Sequence, residues 1–468
     1  MHPLPNLKVG HTQYGQEPTG ETMRFPFLRF LKCPYCGSDF RVEVVIKKKE
    51  DELINGCVKC ECSEFPVLEG ILLLNEKSLN RQIIELIKER RVEEAAIRVL
   101  GYDSFELINS LERFSLFPPP VPLKISRTLG QILSRLAKSR AERKYGRLYK
   151  RYSDKNIPFY DLLGKGVFET YLKHRFSAES FWSIYPFLPI LRKKQERLLD
   201  LNCGTGHASF VISQSIRQRQ LCCADYSFTH LYLARKYFAQ NAEFVCLDAN
   251  LPLPFKDGTF SSILISDAVH YVHSHFSLAH EMERILSPDG LLLLLHVHNS
   301  LTNNRAAGYP LTPKAWGNLF RAGKLEINVL PEKNVVENFL FHNKLDLVEE
   351  YTEDTLNSSN AIILLATLDK SLLTTYDKVN RDFLSAKSNL VINPIYEMTE
   401  KEDQILLERP LHEYSLGDSY PISEKYLPKN HKMYKESISG RQIRISDLEK
   451  VEDLMRKFII INVPEKYT

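Results

Sequence analysis

Apolar and polar residues follow two rhythms along this chain. Between about residues 161 and 370, short apolar runs (RLLDLN, QLCCAD, EFVCLD, FSSILIS, GLLLLLH, LDLVEE and AIILLATL) take turns with stretches such as SLAHEMERIL, whose apolar positions recur every three or four residues. Runs that are apolar throughout read as strands covered on both faces, and the stretches between them as amphipathic helices. Regular alternation of the two predicts the α/β class: a doubly wound, Rossmann-like, mostly parallel sheet of seven strands.

On either side the rhythm changes. Residues 1–23 are rich in Pro, Gly and polar residues without a period and read as a flexible arm. Over 24–75, LKCPYCGSDF precedes the alternating RVEVVI, a charged turn KKKEDE and then GCVKCECSEFPVLEGILLL, the pattern of a metal knuckle followed by a hairpin. Residues 76–160 carry helical spacing interrupted at FPPPVP, as a helical linker or lid would. Residues 371–468 mix charged helices with short strands and predict a small C-terminal α+β module, with a winged-helix-like arrangement as one expectation.

Composition narrows the class further. A chain of 468 residues exceeds one ordinary core, and 43% hydrophobic with 26% charged residues is globular usage. The opening MHPLPNLKVG lacks the basic start and apolar core of a secretory signal, and no apolar run is long enough to span a membrane, so a cytoplasmic location is expected. The formal net charge of +4 decides nothing about partners, but ten Lys or Arg between Lys124 and Arg151 face the single acid Glu142. With Tyr145, Leu148 and Tyr149 among those charges, the helix 124–151 admits RNA binding, attachment to an anionic membrane, or simple packing on the sheet domain.

Five of the nine cysteines lie between Cys33 and Cys62. Cys33 and Cys36 form one C-x2-C, and Cys57 with Cys60 forms another after 20 intervening residues. Four such thiolates suit a tetrahedral structural zinc, with Cys62 as alternative fourth ligand, and leave no open position for catalysis. The metal also helps a unit too small to fold on its own core.

The stretch RLLDLNCGTGHASF, residues 197–210, places Asp200, Gly204 and Gly206 where a buried strand hands over to a helix. Missing Cβ atoms there let a ligand lie against the backbone, and the helix N-terminus attracts an anionic group. The second strand ends in Asp225, 25 residues on, where an acid can accept hydrogen bonds from ribose hydroxyls. The third ends in Asp248, placed for the amino group of an adenine.

LLDLNCGTG, CCADYS, CLDANLPLPFKDGTFSSILISDAVHYV and HEMERILSPDGLLLLLH, in that order, resemble the class I S-adenosylmethionine-dependent methyltransferases, especially the ubiquinone-type and natural-product subgroup. The resemblance covers roughly residues 165–370. It implies S-adenosyl-L-methionine as cofactor, with Asp200, Asn202, Gly204 and Gly206 at its methionine end, Asp225 and Tyr226 at the ribose, Asp248 and Ala249 at the adenine, and Ser266 facing the sulfonium. Asn202 stands where the family usually has glycine, and Asn is the side chain that best tolerates such backbone angles. The resemblance further implies that a base, where one is used, is a histidine after the fourth strand or past the fifth. His270, His273, His275, His280, His296 and His298 are available, and His270 and His298 are the candidate catalytic bases by position. SEFPVLEGILLL, with Phe65, Pro66 and Gly70, is similar to the small zinc-ribbon family that includes the activating subunit of translation-related methyltransferases.

These readings predict an enzyme that methylates a small or carrier-bound metabolite, with oxygen as the acceptor. An RNA methyltransferase using the zinc ribbon and basic helix, and a methyltransferase-like adaptor without activity, are the alternatives. Asn393, Pro394, Ile395 and Tyr396 imitate a motif of amino-directed adenine methyltransferases, but lie far from the fourth strand where that motif belongs.

Overall fold

The apolar runs around the glycine turn form the centre of a twelve-stranded sheet. The computed structural model describes residues 23–74, 77–103, 143–163, 167–194, 196–215, 220–302, 308–321, 325–385, 389–409 and 425–468. Across the sheet the order is Glu243–Cys246, Leu221–Asp225, Leu198–Leu201, Phe260–Ser266, Leu286–His298, Ala361–Thr367 and Glu326–Pro331. The first five are parallel, and Ala361–Thr367 runs antiparallel to both its neighbours. The winding reverses between Leu198–Leu201 and Phe260–Ser266, which opens a crevice at their carboxyl ends, the place where doubly wound folds bind ligands.

Alternation along each strand divides the core into two faces. Leu291, Leu293 and Leu295 enter the larger apolar cluster, while Leu292 and Leu294 enter the other. One expected strand is displaced: LDLVEE supplies only Lys344–Asp346, in a separate two-stranded sheet with Thr375–Asp377. Its place is taken by Glu326–Pro331, paired along its length with Ala361–Thr367. LDLVEE ends in consecutive acids, which a strand inside a covered sheet cannot accommodate; EINVLP can alternate its faces at the edge.

The cysteine-bearing segment extends the same sheet. Arg41–Lys49 and Glu52–Lys59 form its hairpin, Glu64–Leu68 pairs with the latter, and Ile71–Leu73 lies parallel to Glu243–Cys246 with Leu72 opposite Val245. The strand that would otherwise be an open edge is thereby paired, and the boundary expected near residue 75 is a change of sequence rhythm across which the sheet continues. Arg24 adds an ion pair of 2.8 Å to the buried Glu243.

Residues 371–468 build a four-stranded and a three-stranded antiparallel sheet with helix Leu448–Arg456. Their apolar side chains belong to the same cluster as the central sheet, and Phe458 stacks on Trp182 with ring centroids 4.4 Å apart. At the far end Tyr467, fully buried, donates its hydroxyl to the carbonyls of Leu172 and Lys173 and stands 3.4 Å from His207 Nε2. His207 opens the helix after the glycine turn, so the last residues of the chain brace that turn from behind. Among the described residues no helix is long and apolar enough to cross a membrane.

Candidate active site

Strand Leu198–Leu201 passes to helix His207–Ser213 through a turn in which Asn202, Gly204 and Gly206 have φ of 57°, 55° and 88°. These are left-handed values that a Cβ disfavours, except in Asn, whose short amide tolerates them. A Cβ on Gly204 would meet nothing within 4 Å, whereas one on Gly206 would lie 2.8 Å from Ala234 Cβ. Gly204 therefore faces the open crevice, and Gly206 lets two helices approach.

Behind the turn, Asp200 is buried. Its Oδ2 accepts the Ser209 hydroxyl at 2.5 Å, but Oδ1 has no hydrogen-bond partner. Burial pushes the carboxyl up to about 7 despite the Ser209 bond, with the nearby Asp225 charge adding to the rise. An ammonium group at the turn would satisfy Oδ1 and restore the charge, which is what the methionine end of S-adenosylmethionine offers.

Asp225 ends the next strand. Gly204 N donates to its Oδ2 at 2.8 Å and Ser227 N to its Oδ1 at 2.9 Å, and His230 Nδ1 lies 3.4 Å from Oδ1. Burial works against its charge, but His230 and the two amides prevail and hold the carboxyl below its usual range. Oδ2, with one donor, keeps a lone pair for a ribose hydroxyl. The exposed ring of Tyr226 follows it, and Asp248, held by Asn250 at 2.9 Å, stands with buried Ala249 at the end of Glu243–Cys246. The three strands whose ends carry these residues are neighbours in the sheet, in sequence order.

Ser266 closes the fourth strand, half-buried, and the next residue begins a charged cluster. Asp267 Oδ2 accepts from Tyr171 at 3.0 Å and meets Arg175 at 3.2 Å. Asp267 Oδ1 lies 3.3 Å from His298 Nε2 and 3.8 Å from His296 Nε2. His296 Nδ1 contacts Glu332 Oε2 at 2.6 Å. Burial opposes charge on Asp267, but His296, Arg175 and His298 overcome it and hold the carboxyl well below its ordinary range. Burial likewise opposes charge on His296, but Glu332 and Asp267 raise its pKa. A β-bulge between Leu294 and Val297 and left-handed φ at Asp267 (56°) and His296 (50°) bring these side chains together.

His270 and His298 do meet, with ring centroids 4.3 Å apart. His270 is fully buried with no partner on either ring nitrogen, and burial, then His298, pulls its pKa down to about 3. His275 instead packs edge-on against Trp316, His273 donates its backbone amide to Asn250, and His280 bonds the Phe276 carbonyl on its own helix. Asp267, Tyr171, Arg175 and Glu332 were not expected from the sequence. The pair His296 and His298, two apart on one strand, and the acid directly after the apolar run SSILIS are the signals for three of the cluster's members; Tyr171, Arg175 and Glu332 sit in segments without a motif.

At the N-terminal cluster the ligand set differs from the expected one. Cys33, Cys36, Cys60 and Cys62 converge, with Sγ separations of 3.7 Å (Cys33–Cys62), 3.9 Å (Cys36–Cys60) and 3.6 Å (Cys60–Cys62). Cys57 is excluded and Cys62 replaces it. Cys57 lies mid-strand opposite Pro66 and points into the apolar cluster on the other face of the sheet from Cys33 and Cys60, where burial pushes its thiol up to about 12. Positions three apart on a strand face opposite ways, so Cys57 and Cys60 cannot serve one ion.

Most of the basic stretch 124–151 lies outside the described residues. Its described end packs inward: Tyr145 is buried, Tyr149 approaches Tyr232, and Arg151 donates to the Asp161 carbonyl at 2.5 Å. Asn393 is structural, accepting from Ser177 at 2.6 Å and donating to the Phe458 carbonyl at 2.8 Å.

Residues 199–294 match the family described as methyltransferase domain. Over 140 residues the chain is 30% identical to the demethylmenaquinone methyltransferase of Thermus thermophilus, covering 30% of this chain and 60% of that protein. It is 26% identical over 111 residues to the malonyl-[acyl-carrier protein] O-methyltransferase of Legionella pneumophila, covering 24% of this chain and 39% of that one. A solved complex of the Haloferax volcanii Trm112 methyltransferase activator with a methyltransferase is similar over 42% of this chain and 93% of that one, at 14% identity and a TM-score of 0.31. The chain thus spans well under two thirds of the curated relatives it matches. Residues 199–294, which hold the glycine turn and the line of strand-end acids, are thus similar to methyltransferase domains.

Proposed function

We propose that this chain transfers the methyl group of S-adenosylmethionine to an oxygen of a small or carrier-bound metabolite. The observation that carries the reading is the continuity of Ser266 with Asp267: the residue expected beside the sulfonium leads directly into the buried cluster of Asp267, His270, His296 and His298. Asp200, Asn202, Gly204 and Gly206 receive the methionine end, Asp225 and Tyr226 the ribose, and Asp248 and Ala249 the adenine. Transfer then needs alignment and removal of one proton. The acceptor hydroxyl gives its proton to an imidazole nitrogen at His270 or His298, its oxygen attacks the methyl carbon, and the C–S electron pair stays on sulfur. S-adenosylhomocysteine leaves.

The names of the relatives support a quinone-like or carrier-bound acceptor, and the Legionella protein is named for transfer to oxygen. Cys33, Cys36, Cys60 and Cys62 hold a structural zinc in this reading: four sulfurs at about 2.3 Å from a tetrahedral ion lie about 3.8 Å apart, as the three separations above do. The test is transfer of labelled methyl from S-adenosylmethionine into a cell extract split into RNA, protein, lipid and small-molecule fractions. Label in the lipid or small-molecule fraction, or on carrier protein, is expected. Label confined to RNA would overturn the reading, and no label alongside intact S-adenosylhomocysteine binding would make the chain an adaptor.

A further inference from the structure

We infer that Asp267, His296 and His298 form a binding site for a divalent transition-metal ion on the acceptor side of the methyl group, separate from the four cysteines. The inference rests on the proposed methyltransferase reading for its role, but not for its geometry. Asp267 Oδ1 and the Nε2 atoms of His296 and His298 lie within 4.8 Å of one another, with Oδ1 3.3 and 3.8 Å from the two nitrogens. Ligands at about 2.1 Å from one ion, at angles between octahedral and tetrahedral, sit about 3.0–3.4 Å apart, a range that the two Oδ1 distances meet to within about half an ångström.

The surroundings orient each donor as a metal site requires. Tyr171 and Arg175 occupy Asp267 Oδ2, leaving Oδ1 to point at the histidines. Glu332 engages His296 Nδ1 at 2.6 Å, and His296 Nε2 lies on the side of Asp267 Oδ1, 3.8 Å away. A carboxylate behind a ligating imidazole is the recurrent outer contact of such sites.

An independent observation lies at the same spot. His270, fully buried and unpartnered at both nitrogens, presents its ring 4.3 Å from that of His298. An apolar side chain would avoid the desolvation of an N–H and a lone pair; an imidazole there has a use if a ligand comes to one of its nitrogens. Two imidazoles and one carboxylate favour zinc, iron, cobalt or nickel over magnesium or calcium, which take all-oxygen shells. Three protein ligands leave open positions for an acceptor oxygen, whose bound hydroxyl is acidified by the ion.

The full-length protein is incubated with excess Zn2+, desalted and counted for metal per chain, and S-adenosylhomocysteine binding is followed by calorimetry on the same samples. Two equivalents are expected in the unaltered protein and one in each of Asp267→Asn and His298→Gln, with S-adenosylhomocysteine still bound. In Co2+-loaded protein, a visible d–d component free of thiolate charge transfer should vanish in the same variants. One equivalent in the unaltered protein, or two retained in both variants, overturns the site. Two conservative variants guard against one that misfolds. Failure of the unaltered protein to bind S-adenosylhomocysteine would instead count against the methyltransferase reading and leave the metal count to decide the site by itself.

Discussion

Gly204 and Gly206 share one turn and one backbone region, yet alanine at each should fail in a different way. Both hold left-handed φ, 55° and 88°, where a Cβ costs about 1–2 kcal/mol. At Gly204 nothing else is added, because the new methyl meets no atom within 4 Å. At Gly206 the methyl would stand 2.8 Å from Ala234 Cβ and 3.2 Å from both Ala234 Cα and Phe238 Cβ, all on the buried helical stretch that packs against the turn. Forcing a methylene into packed surroundings typically adds about 1–3 kcal/mol, so Gly206→Ala should cost about 2–5 kcal/mol and Gly204→Ala about 1–2 kcal/mol.

Cofactor binding should rank them in the opposite sense per unit of stability lost. The Gly204 methyl occupies crevice space against which the methionine end is to lie, so S-adenosylhomocysteine affinity should fall by at least tenfold while the melting temperature drops only a few degrees. Gly206→Ala should melt markedly lower, and its affinity loss should track the loss of folded protein. Thermal melting and calorimetric titration on both variants decide it. A Gly206→Ala protein as stable as the parent, or a Gly204→Ala protein that binds S-adenosylhomocysteine unchanged, would refute the division of labour read from the turn.

Cys62→Ser should lose the ribbon's zinc while Cys57→Ser keeps it, counted by metal analysis on S-adenosylhomocysteine-competent protein; the reverse result would restore the C-x2-C pair. Asp200, pushed up to about 7 by burial, binds more protons in the folded than in the unfolded chain between its ordinary 3.8 and 7. It therefore favours the folded protein at low pH, a contribution lost as pH rises through that window. Binding an ammonium needs Asp200 charged, so S-adenosylhomocysteine affinity should weaken below pH 7 with proton release, by up to about tenfold per pH unit; a flat affinity between pH 5.5 and 8 would exclude this. Tyr467→Phe removes the single hydroxyl hydrogen shared between the Leu172 and Lys173 carbonyls and should cost about 0.5–1.5 kcal/mol, visible as a lower melting temperature, while unchanged stability would mean the C-terminal segment does not brace the turn.

The fold was legible wherever a strand is buried on both faces. LLDL, LCCAD and SSILIS announce themselves because a parallel central strand has no polar side to show. Edge strands carry no such signal: EINVLP alternates weakly and was passed over for the more apolar start of LDLVEE, whose residues pair elsewhere. Nor does sequence show that Ile71–Leu73 joins the strand Glu243–Cys246 in parallel, since that pairing brings together residues some 170 positions apart through backbone groups that every residue possesses.

The site divides along the same line between local and long-range causes. The placing of the glycine turn beside the strand-end acids follows from spacing, because they need only the sheet order to become neighbours. The cysteines misled for a local reason. C-x2-C is a knuckle when it lies in a turn, as at Cys33 and Cys36, but the second pair begins inside a strand, where Cys57 faces away and the turn residues Cys60 and Cys62 remain. The acceptor side depends on neither spacing nor turn chemistry: Arg175 from before the sheet, Asp267 after one strand, His296 and His298 at the end of the next and Glu332 from a later helix meet only because strands Phe260–Ser266 and Leu286–His298 are adjacent and end level, Ser266 opposite Leu295. A buried centre assembled from five segments, with two carboxylates, one guanidinium and three imidazoles in contact, is expensive to desolvate, and a chain that needed only a filled core there would have placed leucines, as it does one residue earlier at Leu291–Leu295.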